Sequence, residues 1–411
     1  MHRQLRRFTS TRTRWNDRLL VYPGNRSSSV SLQLNDEVIR FDNIWLRDAC
    51  PCAQCVDPST RQKLFSTPQI PRLVSASFVN LTDDEGVEVV WEPGRHKSTY
   101  PLEFIKRHQS PAHAAQAHHT PILPKIWDRR IMKANVLWID YEAYLTDVSI
   151  LHTAIVHLQR YGLVFLRNIP PEDENAVEAI GNQIGYLQNT FYGKTWDVQS
   201  IENPKNIAYT SGDLGLHMDL LYYESPPGIQ LLHCLRNSVQ GGESVFVDAF
   251  AVAQELRRTY GRHVWNSLIH EPVSFHYEND GRHYYMERPT IVLEKGPQFP
   301  EGTISHINYS PPFQAPFSNF DASTGQNAQF RAQMLALKYF EDKVKNPTSQ
   351  FTYRLQPGEC VVFQNRRVLH GRTAFQHGGQ RWLKGAYVDM DTFKSQCRVL
   401  QNRFGPLSRP M

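Results

Sequence analysis

Three side chains that could bind a metal ion are the most informative feature of this 411-residue sequence. His217 and Asp219 lie two residues apart in a strand-like run, so their side chains are expected on the same side of the backbone. His370 follows the apolar-flanked run 361–369 and offers a second imidazole. Two histidines and one carboxylate on one face of a metal form the ligand set of non-haem Fe(II) oxygenases. Alone, His217 and Asp219 are better explained as a structural hydrogen-bonded pair, so the prediction depends on their surroundings.

Arg381 follows His370 by eleven residues and begins the apolar strand 381–387. An arginine pointing into the mouth of a barrel can bind a carboxylate through two parallel hydrogen bonds. The distal carboxylate of 2-oxoglutarate needs such a partner, while its keto acid end would bind the metal. The alternative is a surface salt bridge, but the position of Arg381 after His370 favours a role in ligand binding.

The composition is that of a globular protein, with 40% hydrophobic residues, 21% charged residues and a net charge of +5. The basic residues are spread along the chain, so we do not predict nucleic-acid binding. No apolar run approaches the roughly 18–20 residues that span a membrane. Three of the six cysteines lie within six residues, which favours metal binding over disulfides and indicates a reducing compartment. The six cysteines are Cys50, Cys52, Cys55, Cys234, Cys360 and Cys397.

The first 16 residues contain five arginines, four serines or threonines and no acidic residue. This composition is typical of a mitochondrial transit peptide and lacks the apolar core of a secretory signal. The alternative is a short disordered basic tail. We therefore expect residues 1–16 to be a targeting or disordered segment, in a mitochondrial or cytoplasmic protein.

Short strands separated by turn residues predict a small β-rich module over residues 17–108. The spacing of Cys52 and Cys55 is that of a metal knuckle, and Cys50 adds a third thiolate. Tetrahedral zinc needs a fourth ligand, for which we select His96, placed after the turn 92–95. Free buried cysteines or a redox pair are the alternatives to this structural Cys₃His zinc site.

Residues 109–130 are expected to be a linker, because the segment is rich in alanine, histidine and proline. Residues 131–411 then form the main domain. Helices are predicted at 145–161, 175–184 and 328–345, and many short strands follow the first two. Helices followed by strands indicate an α+β domain with a barrel or jelly-roll core, whose mouth would bind a small ligand.

Several of these motifs together resemble one family, the γ-butyrobetaine hydroxylase and trimethyllysine dioxygenase family of Fe(II)/2-oxoglutarate oxygenases, which acts in carnitine biosynthesis. The resemblance extends from about residue 17 to the C terminus. It is carried by His217 and Asp219, by residues 226–234, 241–244 and 369–372, and by residues 45–48 with the cysteine cluster.

The resemblance implies a TauD-like double-stranded β-helix that uses Fe(II), with 2-oxoglutarate as cosubstrate, structural Zn(II) and ascorbate as reductant. The implied iron ligands are His217, Asp219 and His370, the implied zinc ligands are Cys50, Cys52, Cys55 and His96, and Arg381 holds the cosubstrate. An aromatic cage for a trimethylammonium group is implied at Tyr192, Trp196, Tyr209 and Tyr387, with Asn206 lining the site. A homodimer is also implied.

Three functions remain open at this point. The first is hydroxylation of γ-butyrobetaine to L-carnitine, giving succinate and CO₂. Residues 226–228, the cysteine pair in residues 50–52 and Tyr387 favour it. The second is hydroxylation of trimethyllysine, which the arginine-rich N terminus favours weakly. The third is a non-catalytic metal-binding interaction protein, against which the complete triad and Arg381 argue. Residues 275–316 match the family poorly and are expected to shape the substrate pocket. The expected partner is a small trimethylammonium compound.

Overall fold

The structure is a computed structural model, and the chain divides into two compact units, Met1–His119 and Thr120–Met411. The boundary falls inside the segment that was expected to be a linker. The expected targeting segment 1–16 lies outside the described residues. The structure describes residues 19–22, 28–83, 86–118, 122–199, 212–296, 299–324, 327–376 and 378–405.

The first unit contains two three-stranded antiparallel sheets with the orders β1-β2-β3 and β4-β5-β6. The strands are β1 (Leu19–Tyr22), β2 (Ser29–Leu34), β3 (Glu37–Asp42), β4 (Ser75–Leu81), β5 (Val87–Glu92) and β6 (His96–Tyr100). The helices are α1 (Asn43–Asp48), α2 (Leu102–His108) and α3 (Pro111–His118). The helix α3 therefore occupies part of the segment that was expected to be a linker.

The core of this unit consists of strand residues that alternate with less buried neighbours. Val87, Val89 and Trp91 of β5 point inward and are completely buried, as the period of a strand requires. Tyr100 packs with them and donates its hydroxyl hydrogen bond to the carbonyl oxygen of Leu46. This packing fixes β6 and the cysteine-bearing segment after α1 in one core.

The second unit is built around two sheets, one of four strands and one of six. The four-stranded order is β10-β19-β12-β17, and the six-stranded order is β7-β8-β18-β11-β20-β9. The strands of these sheets are β7 (Trp138–Asp140), β8 (Leu163–Arg167), β9 (Thr195–Gln199), β10 (Leu214–His217), β11 (Ile229–Asn237), β12 (Ser244–Asp248), β17 (Gln350–Tyr353), β18 (Glu359–Gln364), β19 (Val368–Arg372) and β20 (Arg381–Val388). Two hairpins lie between β12 and β17: β13 (Pro272–Asn279) pairs with β14 (Arg282–Pro289), and β15 (Ile291–Leu293) with β16 (Ile304–Ile307).

Helices lie between the strands throughout this unit. They are α4 (Arg129–Asn135), α5 (Tyr141–Thr146), α6 (Val148–Tyr161), α7 (Ala176–Ile184), α8 (Ala249–His270), α9 (Ala328–Val344) and α10 (Met390–Phe404). Asp147 caps α6 by accepting a hydrogen bond from the Ser149 amide, and Gly162 ends it with a φ of 78°. The helix therefore ends where the predicted helix 145–161 ends.

The α+β, double-stranded β-helix class is confirmed by these two sheets, whose strands pair antiparallel except for β7 and β8. The predicted order of helices followed by strands is wrong, because α8, which is broken at Gly261 by a φ of 75°, directly follows strand β12. Residues 145–161 also form two helices and not one, since Asp147 ends α5 and caps α6. Among the described residues, no helix is both long and apolar enough to cross a membrane.

Candidate active site

The two histidines of the predicted triad lie directly opposite each other, because β10 and β19 pair antiparallel with His217 and His370 in register. Their ring centroids are 4.3 Å apart. The Nε2 atom of His217 is 3.2 Å from Oδ1 of Asp219, and Nε2 of His370 is 3.7 Å from Oδ2. The structure therefore brings all three predicted ligands together at one point between the sheets.

The donor atoms suit Fe(II). Nδ1 of His217 is 2.8 Å from the carbonyl oxygen of Gly215, so it carries the proton of the neutral ring and leaves Nε2 to bind a metal. The ligand atoms of His217, Asp219 and His370 lie within 4.8 Å of one another. Two imidazole nitrogens and one carboxylate on one side of a cavity form a facial set, which leaves the opposite side open.

The chemistry of these groups also favours metal binding. Burial would raise the pKa of Asp219, but the imidazoles of His370 and His217 and the hydroxyl of Tyr387 outweigh it and hold this pKa well below its usual range. Burial, with the neighbouring His217, lowers the pKa of His370 to about 3. An ionised carboxylate and a neutral imidazole are the forms that bind a divalent cation.

Asp219 does not continue the strand as its spacing from His217 suggests. The strand β10 ends at His217, and Leu220 has a φ of 58°, so the chain turns sharply at the carboxylate. Asn365 stabilises this turn with both ends of its amide. Its Oδ1 accepts from the Asp219 amide at 2.9 Å, and its Nδ2 donates to the Asp219 carbonyl oxygen at 3.0 Å.

A cavity lies beside the triad, and concave sites of this kind are where small molecules bind. Arg381, at the start of β20, lines it and is only 9% exposed. Burial and the neighbouring Arg372 lower the pKa of Arg381 to about 10. Its Nε is buried without a hydrogen-bond partner among the described residues. A buried, unneutralised guanidinium beside the iron ligands fits the distal carboxylate of 2-oxoglutarate.

Three of the four predicted cage residues line the same cavity. Trp196 stacks on Tyr387 with ring centroids 3.9 Å apart, and Tyr192 is 6.4 Å from Trp196. Tyr192 lies in a turn and Trp196 lies in strand β9. The other two predicted substrate residues, Asn206 and Tyr209, lie outside the described residues.

The poorly matching segment 275–316 contributes mostly from behind the cavity wall. Phe313 is its one residue among those that line the cavity in the described structure. The ring centroids of Tyr277 and Tyr284, in the β13–β14 hairpin, lie 5.5 and 5.9 Å from that of Tyr222, which does line the cavity. This segment therefore shapes the pocket through Phe313 and through the support of Tyr222.

The cysteine cluster of the first unit has the geometry of a tetrahedral metal site. Nε2 of His96 is 3.3, 3.6 and 3.5 Å from Sγ of Cys50, Cys52 and Cys55. Zinc bonds of about 2.3 Å to sulfur and about 2.0 Å to nitrogen would place these atoms about 3.6 Å apart. Arg47 also contacts Cys55 Sγ at 3.4 Å, as a donor to a thiolate would.

Sequence reasoning gave no role to Gln230, Tyr222, Arg372 or Asn365, although all four contact or line the triad. Gln230 carries a signal that could have been used. It is a polar residue inside the apolar strand β11, where burial of an amide requires a partner.

Comparison with known proteins agrees with this geometry. Residues 133–387 match the family described as "Taurine catabolism dioxygenase TauD, TfdA family", and residues 25–106 match "Gamma-butyrobetaine hydroxylase-like, N-terminal". "Dioxygenase str8" of Strobilurus tenacellus is 41% identical over 373 residues, covering 87% of this chain and 84% of that protein. "Gamma-butyrobetaine dioxygenase" of Pseudomonas sp. (strain AK-1) is 33% identical over 378 residues, covering 91% and 94%.

"Trimethyllysine dioxygenase" of Meyerozyma guilliermondii is 26% identical over 380 residues, covering 88% of this chain and 90% of that protein. The names of these relatives thus state two different substrates, and the name of str8 states none. The chain belongs to the TauD/TfdA family of Fe(II)- and 2-oxoglutarate-dependent dioxygenases, in the branch that contains the γ-butyrobetaine and trimethyllysine enzymes.

Proposed function

We propose that this dioxygenase hydroxylates γ-butyrobetaine to L-carnitine and releases succinate and CO₂ from 2-oxoglutarate. The observation that carries the proposal is the aromatic wall beside the triad. Trp196 and Tyr387 stack there, Tyr192 lies next to them, and all three line the cavity that holds His217 and Asp219.

A trimethylammonium group has no N–H to donate, so hydrogen bonds cannot select it. Aromatic faces attract it by about 0.5–2 kcal/mol per good contact. Tyr222 and Phe313 are further aromatic side chains in the described lining of the cavity. Binding of the cation by rings would leave Asp219 free to bind iron.

The charges of the cavity favour γ-butyrobetaine over trimethyllysine. Trimethyllysine carries an α-ammonium group in addition to its quaternary nitrogen, and a buried ammonium needs acidic or strong acceptor partners. Among the described residues that line the cavity, Asp219 is the one carboxylate, and it serves as an iron ligand. The substrate with a single cationic centre therefore fits better, and the relative named for it has the higher identity of these two.

Fe(II) with bound 2-oxoglutarate supplies the oxidising chemistry when both are present. The residues of the chain supply placement. His217, Asp219 and His370 hold the metal, Arg381 anchors the cosubstrate, and the aromatic rings hold the substrate with one carbon near the metal. Ascorbate is proposed as the reductant that maintains Fe(II), and zinc as the structural metal of the Cys₃His cluster.

The proposal is tested by turnover with Fe(II), 2-oxoglutarate and ascorbate, with γ-butyrobetaine and trimethyllysine offered separately and both succinate and hydroxylated product measured. We expect L-carnitine in proportion to succinate. The carbon isostere of γ-butyrobetaine, with a quaternary carbon in place of nitrogen, should have a KM at least about tenfold higher, because it lacks the cation–π attraction.

Faster turnover of trimethyllysine would assign the chain to the second substrate. Equal KM values for γ-butyrobetaine and its carbon isostere would contradict recognition by the aromatic wall. Succinate formation without hydroxylation of either ammonium compound would reject both substrates and leave the dioxygenase assignment intact.

A further inference from the structure

Two side chains outside the triad converge on one oxygen of the iron-binding carboxylate. The hydroxyl of Tyr387 donates to Oδ2 of Asp219 at 2.7 Å, and the Nε2 amide of Gln230 donates to the same oxygen at 2.8 Å. The other oxygen, Oδ1, faces Nε2 of His217 at 3.2 Å, while Oδ2 lies 3.7 Å from Nε2 of His370 in addition to its two donors. The two carboxylate oxygens therefore have different surroundings.

The convergence is built into the register of the six-stranded sheet. Gln230 of β11 and Tyr387 of β20 are directly opposite each other, so their side chains emerge on the same face. Each is only 2% exposed, which shields both hydrogen bonds from water. The histidines come from the four-stranded sheet, so one sheet provides the imidazoles and the other holds the carboxylate.

We propose that Tyr387 and Gln230 are positioning residues that hold Oδ2 of Asp219 and so reserve Oδ1 for the iron. A carboxylate oxygen has two lone pairs, and two donors at these distances occupy both. Asp219 would then offer the metal one oxygen, Oδ1, and its Oδ2 would not compete with the cosubstrate for the metal.

The protonation of Tyr387 agrees with this role. A phenol ionises only in alkaline solution, so the Tyr387 hydroxyl remains a hydrogen-bond donor at neutral pH. The backbone of Asp219 is fixed separately by Asn365, so Tyr387 and Gln230 determine only the rotation of the carboxylate.

Tyr387 then has two separable parts. Its hydroxyl orients the iron ligand, and its ring stacks with Trp196 in the aromatic wall. The variant Tyr387→Phe removes the first and keeps the second. This separation makes the inference testable independently of which ammonium compound is the substrate.

The test is a titration of iron-free, zinc-replete protein with Co(II), read through the visible absorption, which is sensitive to the number of ligands. Tyr387→Phe should weaken Co(II) and Fe(II) binding by about 10- to 100-fold, the usual effect of losing a partner of a metal ligand. Its Co(II) spectrum should shift toward higher coordination number, as Oδ2 becomes free to bind. The substrate KM at saturating Fe(II) should change little, because the ring remains.

Tyr222→Phe is the matched control, since Tyr222 is another buried cavity tyrosine and no hydrogen bond from it to Asp219 is seen in the described structure. Its metal affinity and Co(II) spectrum should equal those of the parent protein. Gln230→Met should reproduce the effect of Tyr387→Phe on the metal, with retained melting temperature of the metal-free protein as the check on folding. Unchanged metal affinity and Co(II) spectrum in both Tyr387→Phe and Gln230→Met would overturn the proposal.

Discussion

His217 and His370 are 153 positions apart in the sequence but occupy opposite positions of one antiparallel strand pair. Residues directly opposite in such a pair have neighbouring side chains on the same face of the sheet. Both imidazoles therefore enter the space between the sheets without any loop having to place them. The hydrogen-bond register of β10 and β19 is what assembles the metal site.

Replacement of His370 by alanine should abolish turnover and leave the fold intact. One of three ligands is lost, so the activity should fall by more than the roughly 100-fold that loss of an outer partner causes. Succinate formation and bound iron are the measurements. His263→Ala removes an exposed histidine of α8 and should behave as the parent protein. Substantial turnover in His370→Ala would refute the triad.

The local parts of the site were predictable from the sequence. His217 with Asp219, and the cysteine cluster, were recognised because their residue types and short spacings indicate chemistry directly, whereas His370 and Arg381 were added by residue type and by the resemblance to the family. The caps of α6 at Asp147 and Gly162 were predictable for the same reason. In each case, neighbours along the chain determine the outcome.

Features that depend on strand register were not predictable. Nothing in the sequence says that Gln230 faces Tyr387, because this follows from how β11 and β20 align. The helix α8 was not predicted for a different reason. Its buried Ala249, Val252, Ala253 and Leu256 have helical spacing, so the signal was present and was not used. The contacts that could not be predicted are those that depend on how strands distant in the sequence pair.

Replacement of Cys52 by serine should remove zinc from the first unit and lower its stability, because structural zinc contributes directly to folding. Metal analysis and thermal unfolding are the measurements. Cys397→Ser, in α10 of the second unit, should leave the zinc content unchanged. Zinc content equal to that of the parent in Cys52→Ser would exclude the site.

Zinc affinity should also rise with pH. Burial raises the pKa of the Cys50 thiol to about 12, so this thiol is protonated at neutral pH in the metal-free protein. Zinc binding must then release that proton, and a higher pH makes the release easier. Competition with a chelator across neutral to alkaline pH measures this slope, and a flat profile would show that Cys50 is not a ligand.

Replacement of Arg381 by methionine should raise the KM for 2-oxoglutarate by at least about 30-fold, since losing one partner of a buried charge pair costs about 2–5 kcal/mol. The substrate KM should change less, because the aromatic wall is intact. Arg236→Met removes an exposed arginine of the neighbouring strand β11 and serves as the control. If both variants have the parent KM for 2-oxoglutarate, Arg381 does not hold the cosubstrate.

Replacement of Gly385 by alanine should displace Trp196 from the aromatic wall. Gly385 lies opposite Trp196 in the β9–β20 pair, and a Cβ atom at Gly385 would come within 2.4 Å of the indole ring. Such overpacking costs about 1–3 kcal/mol of folding free energy unless Trp196 moves. Because the displaced indole no longer contacts the substrate, the KM for the ammonium substrate should rise about tenfold. Iron affinity should be retained, because Asp219 and its partners are untouched. Adding Trp196→Phe to Gly385→Ala relieves the clash and should restore the melting temperature, while a parent-like KM in Gly385→Ala alone would show that Trp196 does not contact the substrate.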